Sequence, residues 1–221
     1  MPAKYSQRVR SKPPYKLSDG TRVPGVTTIA KVAADSEWKV SWAAKLAFAG
    51  VNPVAYRDEK ANVGTLAHAL CLAPFGGTPP DLEEYTPLEV QEARNSEGKW
   101  LAWLKGHSLE PILVEKPLVS EILRFGGTPD VYGSIDGLFT VLDLKTGAFI
   151  YPEAWIQLAG YGLLLEESGH PVQQRIILNI GRDETENFVE AKRSGPSLED
   201  EETIFLAAKA IYEAKKRLKI E

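Results

Sequence analysis

The sequence has almost no sulfur chemistry, because Cys71 is the only cysteine among 221 residues. A single thiol excludes a disulfide framework, a thiolate zinc site and a cysteine-ligated iron–sulfur cluster built within one chain. Long apolar runs are also lacking: none approaches the roughly 18 residues of a membrane-spanning helix. Residues 1–16 lack the apolar core of a secretory signal. We therefore expect a soluble, cytoplasmic protein in a reducing compartment, with no membrane partner.

An excess of positive charge is missing as well, since the net charge is −4. That total does not indicate a nucleic-acid binder. The charge is unevenly placed, however, because the basic arm, residues 1–22, has only Asp19 to set against Lys4, Arg8, Arg10, Lys12, Lys16 and Arg22. Such an arm can follow a phosphate backbone, although a solvated and poorly ordered terminus explains it equally well. Carboxylates that hold divalent cations would also make the total look acidic.

The first half of the chain predicts helices. Residues 26–34 indicate a short one, and Ser36 can cap a second that carries Trp38, Trp42, Leu46 and Ala49 on one face. Asn52-Pro53 and Thr86-Pro87 are cap and first-turn signals for two more. Most of the tryptophans have a helical spacing that favours core packing over stacking on nucleobases.

The second half changes to the period of strands. Residues 112–119 predict a strand in which Pro117 indicates an edge or a bulge. Residues 128–135 and 138–145 predict a hairpin that turns at Asp136-Gly137. A helix over residues 152–167, strands over 174–181 and 187–192, and a last helix from Ser197 follow.

This order predicts an α/β fold with a mixed central sheet flanked by helices. We expect one domain over residues 1–221. Behind the basic arm, a mainly helical part (23–110) would pack around an α/β core (111–221).

The segment Asp143-Leu144-Lys145 contains the first candidate catalytic residues. On a strand, residues two apart point to the same face, so Asp143 and Lys145 project together while Leu144 faces the core. The preceding hairpin strand can bring Asp130 alongside them. Converging carboxylates repel each other unless a cation lies between them, and hard oxygen ligands suit Mg²⁺ or Mn²⁺. Taken alone, Asp-x-Lys on a strand is better explained by a surface ion pair.

Neighbouring residues strengthen the functional interpretation. Thr146-Gly147 ends the strand abruptly and leaves room beside Lys145. Gln157 and Tyr161 are four residues apart on the next predicted helix, so they share a face. They are either an interior amide and phenol or a polar pair that supports the lysine and contacts substrate.

Three segments resemble motifs of the PD-(D/E)XK nuclease superfamily, in particular its RecB-like and phage-type exonuclease branch. They are Gly127-Thr128-Pro129-Asp130, Asp143-Leu144-Lys145-Thr146-Gly147 and Gln157-Leu158-Ala159-Gly160-Tyr161. Upstream, Gly64-Thr65-Leu66-Ala67-His68 is similar to the Gly-x-x-x-His helix of that branch. Residues 23–29 (VPGVTTI) are similar to the segment that often precedes this helix. The likeness spans most of residues 15–165 and implies a restriction-endonuclease-like core.

The resemblance implies a role for each matching residue. Asp130, Asp143 and His68 would bind one or two Mg²⁺ or Mn²⁺ ions, with the Leu144 carbonyl as a further ligand. Lys145 would be the catalytic lysine, and Gln157 and Tyr161 the supporting pair that also contacts substrate. Glu115 resembles a glutamate that precedes the motif aspartate in several relatives. Taken alone, His68 would be an ordinary core or surface histidine.

The resemblance implies a metal-dependent deoxyribonuclease, an exonuclease of phage or bacterial DNA recombination and repair. Its partners would be DNA and recombination or replication proteins, in the host cytoplasm if a phage encodes it. The chain departs from relatives that carry an iron–sulfur cluster on four cysteines. It also lacks a Walker-type loop, so any motor would be another chain. Two alternatives remain: a DNA-binding or recombination accessory module without turnover, and a structure-specific endonuclease of the same fold.

Overall fold

The structure is a computed structural model that describes residues 14–34 and 37–220, with only the backbone for residues 37–39. Several sequence predictions therefore lie outside the described residues. They are the first thirteen residues of the basic arm, the Ser36 cap and the position of the Trp38 ring.

Two helices begin where the cap signals at Asn52 and Thr86 predict. Asn52 accepts hydrogen bonds from the backbone N–H groups of Val54 and Ala55 at 2.9 and 3.1 Å. Thr86 forms a reciprocal capping box with Glu89, which satisfies two helix-end donors at once. The helices are α1 (Val26–Ala30), α2 (Glu37–Phe48), α3 (Pro53–Leu72), α4 (Pro87–Leu104), α5 (Pro152–Glu167) and α6 (Pro196–Leu218). The short helix predicted over 26–34 is α1 followed by a 3₁₀ turn, Lys31–Ala33.

The strands form a five-stranded mixed sheet and a separate two-stranded one. The strands are β1 (Leu109–Val114), β2 (Leu118–Ser120), β3 (Phe125–Gly127), β4 (Val131–Ile135), β5 (Leu138–Lys145), β6 (Gln174–Ile180) and β7 (Phe188–Ser194). The larger sheet has the order β1-β4-β5-β6-β7, and only the β5–β6 pair is parallel. Strands β2 and β3 pair with each other. The predicted α/β class with a mixed sheet flanked by helices is confirmed.

Two predicted strands were wrong. The strand expected over residues 112–119 is divided into β1 and β2, because Glu115 adopts a left-handed φ of +48° that interrupts the pleat. Pro117 lies between them, and the bulge of β1 is at Pro111–Leu113 instead. The strand expected over 128–135 is β4 alone, since residues 128–130 carry the chain from the small sheet to the large one.

The central sheet lies between two helical layers with separate cores. Helices α1, α5 and α6 cover the face that carries Tyr132, Val141 and Ile177. The end of α3 and α4 cover the opposite face, where Leu142 and Leu144 pack with others. The alternation along β5 follows the two-residue period of a strand. It places Asp143 and Lys145 on the α5 side, as the sequence predicts.

One close approach positions α3 against the end of β5. A Cβ built on Gly64 would lie 2.8 Å from Oγ1 of Thr146, the residue that follows Lys145. The absence of a side chain at Gly64 therefore allows the helix to lie directly on the end of β5. His68 comes one turn later on the same face of the helix, so this contact also sets where the imidazole points.

Among the described residues, no helix combines the length and the apolarity that crossing a membrane would require.

We expect Gly64→Ala to lower the free energy of unfolding by about 1–3 kcal/mol, because the new methyl group overpacks the helix contact. Thr146→Ala in the same chain should recover much of that loss, since it removes the clashing hydroxyl. Urea unfolding curves of the single and double variants measure both effects. The control is Gly98→Ala in α4, where a Cβ meets nothing within 4 Å; it should stabilise by about 0.5–1 kcal/mol. Equal effects at Gly64 and Gly98 would contradict the packing argument.

Candidate active site

Strand β5 carries an acid and a base side by side at its carboxyl end. Asp143 is 2% exposed, whereas the Lys145 side chain is 30% exposed, so the pair runs from the interior to the surface. Lys145 Nζ lies 2.5 Å from Asp143 Oδ2. The ammonium is thus the charged partner of this buried carboxylate oxygen. The surface ion pair considered from the sequence is thus excluded by the burial of Asp143.

Asp130 reaches the same place from the segment that leads into β4. Its Oδ2 accepts a hydrogen bond from the Leu144 N–H at 2.8 Å. Its backbone carbonyl accepts another from the Glu115 N–H at 3.0 Å. Both bonds join Asp130 to neighbouring backbone, so the direction of its carboxylate is set by the sheet.

Helix α3 supplies the imidazole. His68 Nδ1 lies 3.4 Å from Asp130 Oδ2, and the His68 side chain is 27% exposed. The histidine thus meets the motif aspartate across the interface that Gly64 allows. The structure brings together His68 and Asp130, which are distant in the sequence.

Gln157 and Tyr161 of α5 complete a connected polar network. The Gln157 amide oxygen accepts a hydrogen bond from Lys145 Nζ at 3.2 Å, and its nitrogen donates to the Tyr161 hydroxyl at 2.8 Å. The same nitrogen also donates to Asp143 Oδ1 at 3.4 Å. One side chain therefore holds both members of the ion pair, and Tyr161 holds that side chain.

The electrostatics of the cluster follow from burial opposed by neighbouring charge. Burial raises the pKa of Asp143, the Lys145 ammonium opposes that shift, and the Asp130 carboxylate adds to it. Burial would also raise the pKa of Asp130, but His68, Lys145 and the Leu144 N–H together hold that pKa below its usual value. The cations of the cluster thus compensate the carboxylates.

The pKa values of Lys145, His68 and Tyr161 are all raised above their ordinary values. Burial alone would lower the pKa of Lys145, yet Asp143 and Asp130 raise it above its ordinary value. The same carboxylates outweigh burial at His68, and its pKa is raised. Burial first, and then these two charges, raise the pKa of Tyr161 well above 10. The phenol therefore stays protonated and remains a hydrogen-bond donor.

Glu115 and Leu144, two of the predicted metal ligands, each donate a backbone N–H hydrogen bond to Asp130. The Glu115 carboxylate accepts a hydrogen bond from the Thr78 N–H at 3.3 Å, so it contacts the loop after α3. The Leu144 side chain is fully buried on the opposite face of the sheet. The metal-binding roles of Glu115 and of the Leu144 carbonyl stay predictions.

The residues present fit a hard divalent cation. Two carboxylates, Asp143 and Asp130, influence each other electrostatically, and the His68 imidazole nitrogen lies 3.4 Å from Asp130. Carboxylate oxygen and imidazole nitrogen suit Mg²⁺ or Mn²⁺. In the described part of the chain, no three His, Cys, Asp or Glu side chains are already spaced as a ligand set.

Sequence reasoning missed Asn179 at the end of β6. Its side chain is fully buried, accepts a hydrogen bond from the Gly147 N–H at 3.2 Å and donates to the Gly147 carbonyl at 2.7 Å. The amide thus fixes the backbone just after Lys145, its partner in the β5–β6 register. The signal was present, because a single amide interrupts the apolar run of β6.

A cavity of about 370 Å³ opens beside the network at Tyr161. The VPGVTTI segment lines one side of it with residues 23–28, and Tyr15 and Tyr212 line others. The Tyr15 hydroxyl bonds to Oγ1 of Thr128 at 2.9 Å, which ties this segment to the residues before Asp130.

Neither a protein-family model nor a curated protein matches the sequence. Solved structures that the chain is similar to include LHK-Exo, an alkaline exonuclease from Laribacter hongkongensis. In its complex with dAMP it is 13% identical, with 89% of this chain and 91% of that chain covered and a TM-score of 0.41. A second LHK-Exo structure is 14% identical over 90% and 95%, with a TM-score of 0.37. The protein SSO0001 is 19% identical over 70% and 74%, with a TM-score of 0.32.

Proposed function

We propose that this protein is a Mg²⁺- or Mn²⁺-dependent nuclease that hydrolyses phosphodiester bonds of DNA. The observation that carries the proposal is the convergence of the buried Asp143 carboxylate with Asp130, His68 and Lys145, whose charges all act on it. Buried like charges are costly unless cations compensate them. A divalent cation bound by Asp143 and Asp130 would compensate both carboxylates.

Asp143, Asp130 and His68 would hold the cation. The chemistry supplied by such an ion would be charge neutralisation at the phosphate and activation of the attacking water. One ion or two are compatible with these donors, and Glu115 would be a further ligand of the proposal.

Lys145 is the group that can meet the phosphate from the protein side. Its raised pKa keeps it an ammonium, and its partial exposure lets it reach a substrate at the surface. The ammonium can donate hydrogen bonds to the attacking water and to a phosphate oxygen, which stabilises negative charge as it develops. Lys145 is the catalytic residue of the proposal.

Gln157 positions that ammonium. Its oxygen faces Lys145 and its nitrogen faces Asp143, so the amide keeps the two side chains in a fixed relation. Tyr161 receives the other hydrogen bond of the amide nitrogen and, being protonated, has its own hydrogen to offer to Asp143 or to substrate. Neither residue needs to change its protonation state for this role.

We further propose that the enzyme is an exonuclease of DNA recombination or repair in a phage or a bacterium. The motif order His68, Asp130, Asp143-x-Lys145 and Gln157…Tyr161 supports this finer assignment through its resemblance to RecB-like and phage-type exonucleases. Partner proteins of recombination or replication belong to the same proposal.

Lys145→Ala should lower the rate of DNA hydrolysis by about 100-fold or more, because it removes a positioned donor of charge stabilisation. The measurement is release of nucleotides from linear duplex DNA with Mg²⁺ or Mn²⁺, and with EDTA as the blank. Lys192→Ala is the matched control, since Lys192 is also a half-exposed lysine paired to a carboxylate, Glu190, at 2.8 Å. Equal hydrolysis by wild type and Lys145→Ala would refute the assignment.

The exonuclease assignment predicts a dependence on DNA ends. Labelled linear duplex and single-stranded DNA should be degraded from their termini, whereas a covalently closed circle should stay intact. Nicking or linearisation of the circle would instead establish an endonuclease. Tight DNA binding without cleavage in any divalent metal would establish an accessory module.

Asp143→Asn should weaken Mn²⁺ binding by about 10-fold or more, because the charged oxygen available to the ion is lost. Isothermal titration calorimetry on the metal-free protein measures the dissociation constant for Mn²⁺ independently of any enzymatic activity. Asp81→Asn, at an exposed cap where an amide can replace the carboxylate, should bind Mn²⁺ like wild type. Undiminished binding in Asp143→Asn, with an unchanged unfolding midpoint, would place the ion elsewhere.

A further inference from the structure

The loop between β5 and α5, residues 146–151, presents one aromatic ring to solvent. Phe149 is 70% exposed, while its neighbour Ile150 packs against the core on the α5 side. The loop thus turns one apolar residue inward and the next outward. Four phenylalanine rings that contact an aromatic neighbour, Phe75, Phe125, Phe139 and Phe205, are less exposed than Phe149.

The backbone of this loop is held firmly where it leaves the catalytic strand. The buried Asn179 amide binds both the N–H and the carbonyl of Gly147, and it also donates to the Asn187 carbonyl at 3.2 Å. A Cβ on Gly147 would lie 3.7 Å from the Phe149 carbonyl oxygen, so the chain folds back on itself here. Phe149 is therefore kept close to the end of β5, where Lys145 reaches the surface.

We propose that Phe149 stacks on a nucleobase of the DNA strand next to the bond that is cleaved, and that Asn179 positions the loop for this contact. The inference rests on the proposed function, because it places a DNA strand at Lys145. Stacking on an aromatic side chain suits any base, since every base has a π-face. Phe149 carries no hydrogen-bonding group, so the contact would add affinity without sequence preference.

The test of this contact is a ratio of affinities, that for single-stranded DNA with bases divided by that for abasic DNA. This ratio is called the preference. Fluorescence anisotropy compares a labelled single-stranded oligonucleotide with one of equal length made of abasic residues, in Ca²⁺ and in EDTA. We expect Phe149→Ala to lower the preference of the wild type by about 5- to 150-fold, the range for losing one stacked base. Phe149→Trp should retain it, because the ring is kept.

Ile122→Ala is the matched control. Ile122 is 78% exposed and its N–H contacts Glu167 at the far end of α5, so its removal changes an exposed apolar side chain away from Lys145. It should leave the preference unchanged. Retention of the full preference in Phe149→Ala, absence of any preference in wild type, or an equal loss in Ile122→Ala would each overturn the inference.

Hydrolysis of linear DNA by the same samples separates the two proposals. Hydrolysis by wild type with no change of preference in Phe149→Ala refutes the stacking contact and leaves the nuclease assignment in place. A preference that depends on Phe149, in a wild type that hydrolyses no DNA in Mg²⁺ or Mn²⁺, refutes the nuclease assignment and retains the contact.

Discussion

Two carboxylates held close together inside the protein impose the main constraint on this structure. Asp143 is almost fully buried, and Asp130 adds to the rise of its pKa. Buried like charges are tolerated only when cations and hydrogen bonds compensate them. Here the compensation comes from separate elements: Lys145 from the same strand, His68 from α3 and the Gln157 amide from α5. The site therefore requires the helical half of the chain as much as the sheet.

Close packing without side chains makes that convergence possible. Gly64 lets α3 lie on Thr146, and a Cβ on Gly127 would meet the Tyr161 ring and Val26 at 2.8 Å. At these positions the glycine serves the close approach of two elements rather than an unusual backbone conformation. The polar groups of the site are thus brought within hydrogen-bond distance by the packing of its apolar surroundings.

A buried arginine anchors the layer that carries Gln157 and Tyr161. Arg175 of β6 is fully buried and binds Glu201 and Glu202 of α6, with one bond to the Leu198 carbonyl at 3.0 Å. A Cβ on Gly162 would lie 2.9 Å from this guanidinium, so α5 is held at the same point. This network fixes α5 against the sheet next to Tyr161.

Local sequence signals determined the elements with regular periods or clear caps. Strand β5 and helix α5 have their predicted limits, and Asn52 and Thr86 cap their helices. Prediction was wrong at Glu115 and at residues 128–130, because a left-handed backbone and a crossing between sheets leave no periodic trace. The sequence by itself also placed Asp143 and Lys145 on one face of a strand. Only the tertiary structure decided that His68 meets Asp130 and that Asn179 holds Gly147, since these contacts depend on how distant elements pack.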